Sequence, residues 1–157
     1  MENGGTDMDN KFMDIAIEIS KNAKYPYGAI IVKDGKIIGR SDDETLMSKT
    51  MYSHAELMAI ESACKENPNL YGELKGTTMY VSCEPCMMCM GAILYEEISR
   101  IVYATTIEDS NQYICKEVIC DVNKLAKCAN SNIEIVNEFK RKEGLEVLKN
   151  YGTSSKN

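Results

Sequence analysis

Residues 77–97 read Thr77-Thr78-Met79-Tyr80-Val81-Ser82-Cys83-Glu84-Pro85-Cys86-Met87-Met88-Cys89-Met90-Gly91-Ala92-Ile93-Leu94-Tyr95-Glu96-Glu97. Thr77 to Ser82 is rich in strand formers, and Cys86 to Glu97 is rich in helix formers. Pro85 is placed near the first helical turn, where a missing N–H costs nothing. The stretch predicts a strand that runs through a short link into a helix. Cys86 and Cys89 stand at i and i+3, so their sulfurs can face one point. The positive end of the helix dipole there favours thiolate over thiol.

The pattern continues outward in both directions. Upstream, residues 9–22 predict an amphipathic helix through Phe12, Ile15, Ala16 and Ile19, and Pro26 bars its extension. Gly28 to Val32 and Lys36 to Gly39 are joined at Asp34-Gly35, a strong hairpin signal. Ser41 to Ser53 is polar and loop-like. His54 to Glu66 predicts a helix whose face is Leu57, Ile60, Ala63 and Cys64, stopped by Asn67-Pro68-Asn69. Downstream, Ile101 to Ala104 and Ile133 to Val136 predict strands. Residues 111–128 are helical in part, and Phe139 to Tyr151 form a closing helix. Alternating strands and helices imply a three-layer α/β/α sandwich with a five-stranded mixed sheet. Sites in such folds sit at strand C-terminal ends and helix N-termini.

The chain has 157 residues, which fits one domain over 1–157, with an ordered core about 9–151 and loose ends at 1–8 and 152–157. No apolar run approaches the ~18 residues of a membrane span. The N-terminus lacks the basic start and apolar stretch of a secretion signal, so a cytoplasmic protein is expected. Lys plus Arg 18 against Asp plus Glu 24 gives a net charge of −6, which argues against a nucleic-acid partner. Seven Cys is an odd count, so a metal or redox use of the clustered ones outweighs a disulfide scaffold.

The single histidine, His54, opens its helix, followed by Ala55 and Glu56. One imidazole and the thiolates of Cys86 and Cys89 suit zinc, and three protein ligands leave a fourth position for water. Zinc makes such a water about 9 pKa units more acidic, roughly 12 kcal/mol of help at neutral pH. Glu56 points away from His54 on the helix, yet in a first turn both can line one cavity, where a carboxylate serves as general acid and base. Rival readings stay open at this level. The histidine could be a satisfied core residue. Cys83 could join the other two in an iron–sulfur run, although position 93 is Ile where a fourth Cys is wanted, or could close a structural zinc site. Cys86 and Cys89 could form a redox dithiol, which leaves His54 and Glu56 unexplained. Cys64, Cys115, Cys120 and Cys128 read as core or surface thiols, and Met87, Met88 and Met90 as core fillers.

His-x-Glu followed by Pro-Cys-x-x-Cys is the known pattern of zinc-dependent nucleobase deaminases. Pro26-Tyr27-Gly28-Ala29, His54-Ala55-Glu56-Leu57 and Ser82 to Ile93 resemble the cytidine deaminase-like superfamily over about residues 10–105. The likeness is greatest to bacterial guanine deaminases and nucleoside deaminases, with tRNA adenosine deaminases next. The resemblance implies that His54, Cys86 and Cys89 hold Zn2+ and that Glu56 shuttles protons. It implies that Ala55 and Cys83 wall the base pocket, and that Tyr27 and Tyr95 supply aromatics. The reaction implied is hydrolytic loss of ammonia from an amino-bearing ring carbon of a guanine-like base, in a homodimer. A tRNA adenosine deaminase, a cytosine or nucleoside deaminase and a non-catalytic zinc module are the alternatives.

Two positions depart from the family. Asp43 stands where the family carries an Asn that bonds the base. An ionised Asp only accepts hydrogen bonds, so it repels a ring-nitrogen acceptor, by several kcal/mol if desolvated. Asp43 is therefore turned away, or protonated, or faced by N–H donors of an atypical amino-heterocycle; the last is the expectation. At the C-terminus, Tyr151 and Asp109 stand in for the residues that close guanine deaminase sites.

Overall fold

The computed structural model describes residues 6–46, 50–66, 72–114 and 116–154. The stop expected at Asn67-Pro68-Asn69 lies outside them, as does Cys115. The elements are α1 (Asp7–Asn22), β1 (Ala29–Lys33), β2 (Lys36–Arg40), α2 (Ala55–Cys64), β3 (Thr78–Cys83), α3 (Met87–Tyr95), β4 (Arg100–Thr105), α4 (Ile107–Asn111), α5 (Val122–Cys128), β5 (Glu134–Val136) and α6 (Arg141–Ser154).

The sheet order is β2-β1-β3-β4-β5. β1 pairs antiparallel with both β2 and β3, while β3, β4 and β5 run parallel. The hairpin forms as expected: Asp34 (φ 50°) and Gly35 (φ 73°) both take positive φ, the geometry of a two-residue turn matched to strand twist. The antiparallel register sets Ala29 opposite Val81, so the start of β1 lies beside the end of β3. The Gly28 N–H donates to Ser82 Oγ at 3.0 Å across that join. Tyr27 and Cys83, distant in sequence, thus reach the same end of the two central strands β1 and β3.

Side chains alternate across the pleat and define two cores. On one face Ile31, Met79, Val81, Ile101 and Tyr103 meet α2, α3 and α5 through Ala59, Met90, Ile93 and Ala126. On the other, Ile30, Tyr80, Val102 and Ala104 meet α1 and α6 through Phe12, Met13, Ala16 and Val147. Full burial of side chains such as Met79, Ile93 and Ile101 contributes roughly 1.5–3 kcal/mol each. The second face also holds an ion cluster. Arg100 donates to both Asp9 oxygens at 2.7 and 2.8 Å, and Tyr80 adds a third bond at 2.6 Å.

Several expectations need correction. The buried stripe of α2 is Ala55, Glu56, Ala59 and Ser62, with Leu57, Ile60, Ala63 and Cys64 only half-buried. The reason is Gly39 on β2: a side chain there would collide with Ala59 O and the Ala63 Cβ, so helix and strand touch backbone to backbone. Small residues must line that contact, and the larger ones are pushed to its flanks. Pro85 precedes the N-cap Cys86 and lies outside the helix. Within the ambiguous segment 111–128 the helix described is α5, while α4 precedes it and ends at Asn111. α4 was not expected, although Thr106 and Asp109 form its capping box. The ends are more ordered than foreseen, since Thr6 caps α1 and Gly152 of α6 is buried against Tyr113.

Candidate active site

Two helix starts converge. His54 is the N-cap of α2 (φ −67°, ψ 156°) and Cys86 the N-cap of α3 (φ −70°, ψ 170°), and neither side chain caps its own helix. Their carbonyls accept the first helical bonds, from Met58 N–H at 3.0 Å and Met90 N–H at 2.8 Å. The backbone is thereby satisfied while both side chains project into the space between the helices. Cys89, one turn into α3, completes the group.

His54, Cys86 and Cys89 bring one nitrogen and two sulfurs within 4.8 Å of one another, the only such cluster among the described residues. His54 Nδ1 lies 3.7 Å from Cys86 Sγ. One imidazole and two thiols at this spacing form a donor set that fits zinc. Taken as side chains alone, the trio already separates charge. Hydrogen bonds from Cys89 and then His54 pull the Cys86 thiol down to about 4, against the cost of its burial. The Cys86 partner in turn raises His54 to about 9. Cys89 is held well above the thiol range by the adjoining Cys86 and by burial.

Glu56 sits in the first turn of α2, 6% exposed, and its Oε2 accepts from Cys89 Sγ at 3.4 Å. Burial pushes its carboxyl up to about 7. That is the range in which a carboxylate both takes and returns a proton near neutrality.

These groups face a cavity of about 1120 Å³. Tyr27, Ala55, Cys83 and Tyr151 line it together with His54, Glu56 and Cys86. Tyr27 is held by a 2.6 Å hydrogen bond between its hydroxyl and Ser110 Oγ. Cys83 donates its thiol to the Thr106 carbonyl at 3.6 Å, and burial keeps it protonated. It therefore stands apart from the ligand trio, against the closed-site and iron–sulfur readings.

Three expected substrate contacts are not at the cavity. Asp43 is turned away. Its Oδ1 accepts from Thr45 N–H and Oγ1 at 3.0 and 2.6 Å, and its Oδ2 accepts from Ser62 Oγ at 2.7 Å and Lys65 at 3.2 Å. Those bonds, Thr45's and Ser62's foremost, hold its carboxyl far below the usual range, which excludes the protonated alternative and undercuts the atypical-substrate expectation. Tyr95 ends α3 on the outer surface, 72% exposed. Asp109 is buried as the N3 residue of α4 and accepts a two-pronged bond from Arg141 of α6 at 2.9 and 2.6 Å.

Glu117 is a wall residue that escaped the sequence reading. The half-buried carboxylate of Glu117, between α4 and α5, lines the cavity near enough to feel Cys86 and His54 electrostatically. No periodicity or spacing marks it.

The family model of the cytidine and deoxycytidylate deaminase zinc-binding region matches residues 6–105. The tRNA-specific adenosine deaminase of Buchnera aphidicola subsp. Baizongia pistaciae is 34% identical over 122 residues, 75% of this chain and 74% of its own. The guanine deaminase of Bacillus subtilis is 38% identical over 101 residues, 59% and 62% of the two chains. Among solved structures, the guanine deaminase from Nitrosomonas europaea aligns with a TM-score of 0.76 at 18% identity over 95% of this chain and 86% of its own, a likeness of fold alone. A structure from work on A-to-I editing by tRNA:A34 deaminases aligns at 0.69 with 26% identity, covering 88% of this chain and 99% of that one. Relatives named for tRNA remove the support for excluding a nucleic-acid partner. Among the described residues no helix is long and apolar enough to cross a membrane.

Proposed function

The chain belongs to the cytidine and deoxycytidylate deaminase zinc-binding family, and from that premise we propose that it removes the amino group of a free purine base or related amino-heterocycle with a guanine-like edge. Deaminase chemistry at a C–N bond and Zn2+ as cofactor come with the family. We assign His54, Cys86 and Cys89 as the zinc ligands. Zinc supplies Lewis acidity, enough to bring the pKa of water from 15.7 to about 7.

The protein's own groups do the rest. Glu56, with its carboxyl near neutrality, takes a proton from the attacking water and delivers it to the base. Water adds to the ring carbon, the C–N bond breaks, a carbonyl replaces the amine, and ammonia leaves. Ala55 lies in the first turn of α2, where amides lack partners within the helix and can meet a base edge. Tyr27 and Tyr151 supply aromatic wall to the cavity, and the Ser110 bond keeps Tyr27 in place.

The observation that carries the free-base reading is the charge of the cavity wall. Glu18, Asp42, Glu84 and Glu117 line it besides Glu56, against Lys24 and Arg40, and Arg40 is tied to Asp42 at 2.8 Å. Such a wall repels phosphates and welcomes N–H donors. Guanine offers its N1–H and 2-amino group side by side, whereas adenine has no ring N–H on that edge. The second reading, adenosine in tRNA, draws on the 34% identical relative. The test is ammonia release from guanine, adenine, cytosine, guanosine and cytidine beside inosine formation in an anticodon stem-loop. Turnover of the stem-loop alone overturns the free-base reading. A homodimer is the assembly we propose, checked by light scattering.

A further inference from the structure

α4 is only five residues long, yet it is tied down from several sides. Thr106 and Asp109 cap it reciprocally, Arg141 grips Asp109 from α6, and the Ile107 N–H donates to Glu84 Oε2 at 3.1 Å. Its last two residues each hold a residue of the cavity wall: Ser110 holds the Tyr27 hydroxyl, and Asn111 holds Glu117. The second contact is unusual in form. Asn111 Oδ1 accepts the Glu117 N–H at 2.8 Å while Asn111 Nδ2 donates to the Glu117 carbonyl at 3.0 Å. One side-chain amide thus takes both backbone groups of one residue, as a neighbouring strand would. Glu117 lies in no helix or strand, so no ladder fixes it there.

We propose that Asn111 is a specificity-determining positioning residue: by clamping the Glu117 backbone it sets where the Glu117 carboxylate meets the substrate edge, without touching substrate itself. This rests on the free-base reading given above. The carboxylate accepts only, so it favours a ring edge carrying N–H donors over one carrying a lone pair. A displacement of about 1 Å at such a contact can cost on the order of 100-fold. An Asn111 side chain that merely closed a loop would affect stability and leave base selection alone.

The test is a double-mutant cycle on the zinc-loaded full chain. In a Glu56→Gln background, which holds a base without turning it over, guanine and adenine affinities are read by calorimetry for Asn111→Ala, Glu117→Gln and the pair. Expected are losses of guanine affinity of roughly tenfold or more for each single change, with adenine little altered and zinc content unchanged. The double variant should be no weaker than Glu117→Gln alone, because Asn111 acts through Glu117. Asn111→Asp, which keeps the acceptor for the Glu117 N–H and loses the donor, should fall between wild type and Asn111→Ala; it also serves if the alanine variant folds poorly. Losses that multiply in the double variant, or equal losses for guanine and adenine, overturn the proposal. If the parent binds an RNA stem-loop and no free base, the substrate reading fails and the same cycle is read on that RNA. Coupling there keeps the Asn111 role, and its absence ends it.

Discussion

Each face of the sheet buries a carboxylate, and the two could hardly be treated more differently. Asp9, on the α1 and α6 face, receives both prongs of Arg100, the Tyr80 hydroxyl and the Thr6 N–H. Burial alone would raise its pKa, but those donors outweigh it and hold the group down at about 2. Glu56, on the α2 and α3 face, is met by the thiol of Cys89, and there burial wins, lifting it to about 7. Depth is shared; what differs is the number of donors around each group. A saturated acid becomes a structural tie between α1, β3 and β4. An undersupplied one is left able to exchange its proton, which catalysis requires.

That contrast can be broken by experiment. The largest effect is expected for Glu56→Gln, which should lower ammonia release by about 10³-fold or more while zinc content by atomic absorption and Tm stay near wild type. A loss of folding instead would move Glu56 into the same class as Asp9. Asp9→Asn should do the reverse: it strands part of Arg100's charge and costs about 3 kcal/mol, on the order of 10 °C in Tm, with kcat at room temperature retained.

The acid limb sharpens the same point. Asp9 titrates at 3.8 in an unfolded chain and at about 2 in the fold, so the unfolded state binds more protons between these values. Its contribution is complete above about pH 4 and disappears as pH falls towards 2, a change of about 2 kcal/mol read from urea midpoints. Asp9→Asn should erase that part of the slope. The smallest effect belongs to a third acid. Asp43→Asn should leave the ranking of substrates unchanged, because the side chain is spent on Thr45, Ser62 and Lys65; a reordered ranking in the base panel would restore it to the pocket.

What could be read from the chain follows from range. The Asp34-Gly35 turn, the strand before Cys83 and the helix starts at His54 and Cys86 are set by neighbours within a few residues, and those were legible. So was the placing of a carboxylate beside the imidazole, since Glu56 lies two positions from His54 and lines the same cavity. The buried stripe of α2 was not, because it is dictated by Gly39 on another element. Asp43 was misplaced for the same reason: Ser62 and Lys65 stand 19 and 22 residues further on. Glu117 was invisible, as its place depends on a hydrogen-bonded amide and not on any pattern of apolar residues. α4 did carry a legible sign, Thr106 with Asp109 three positions later, in a segment too short for periodicity.

The fork from Arg141 to Asp109 extends the influence of the closing helix well beyond its own surface. Arg141→Ala removes that fork while leaving the buried packing of α6, the cavity residue Tyr151 and the group of His54, Cys86, Cys89 and Glu56 in place. With the fork goes the bolt that seats α4, and the grip on Tyr27 and Glu117 loosens. Such a variant should keep its ion yet choose less well among bases, a phenotype easily mistaken for a lesion in the pocket itself.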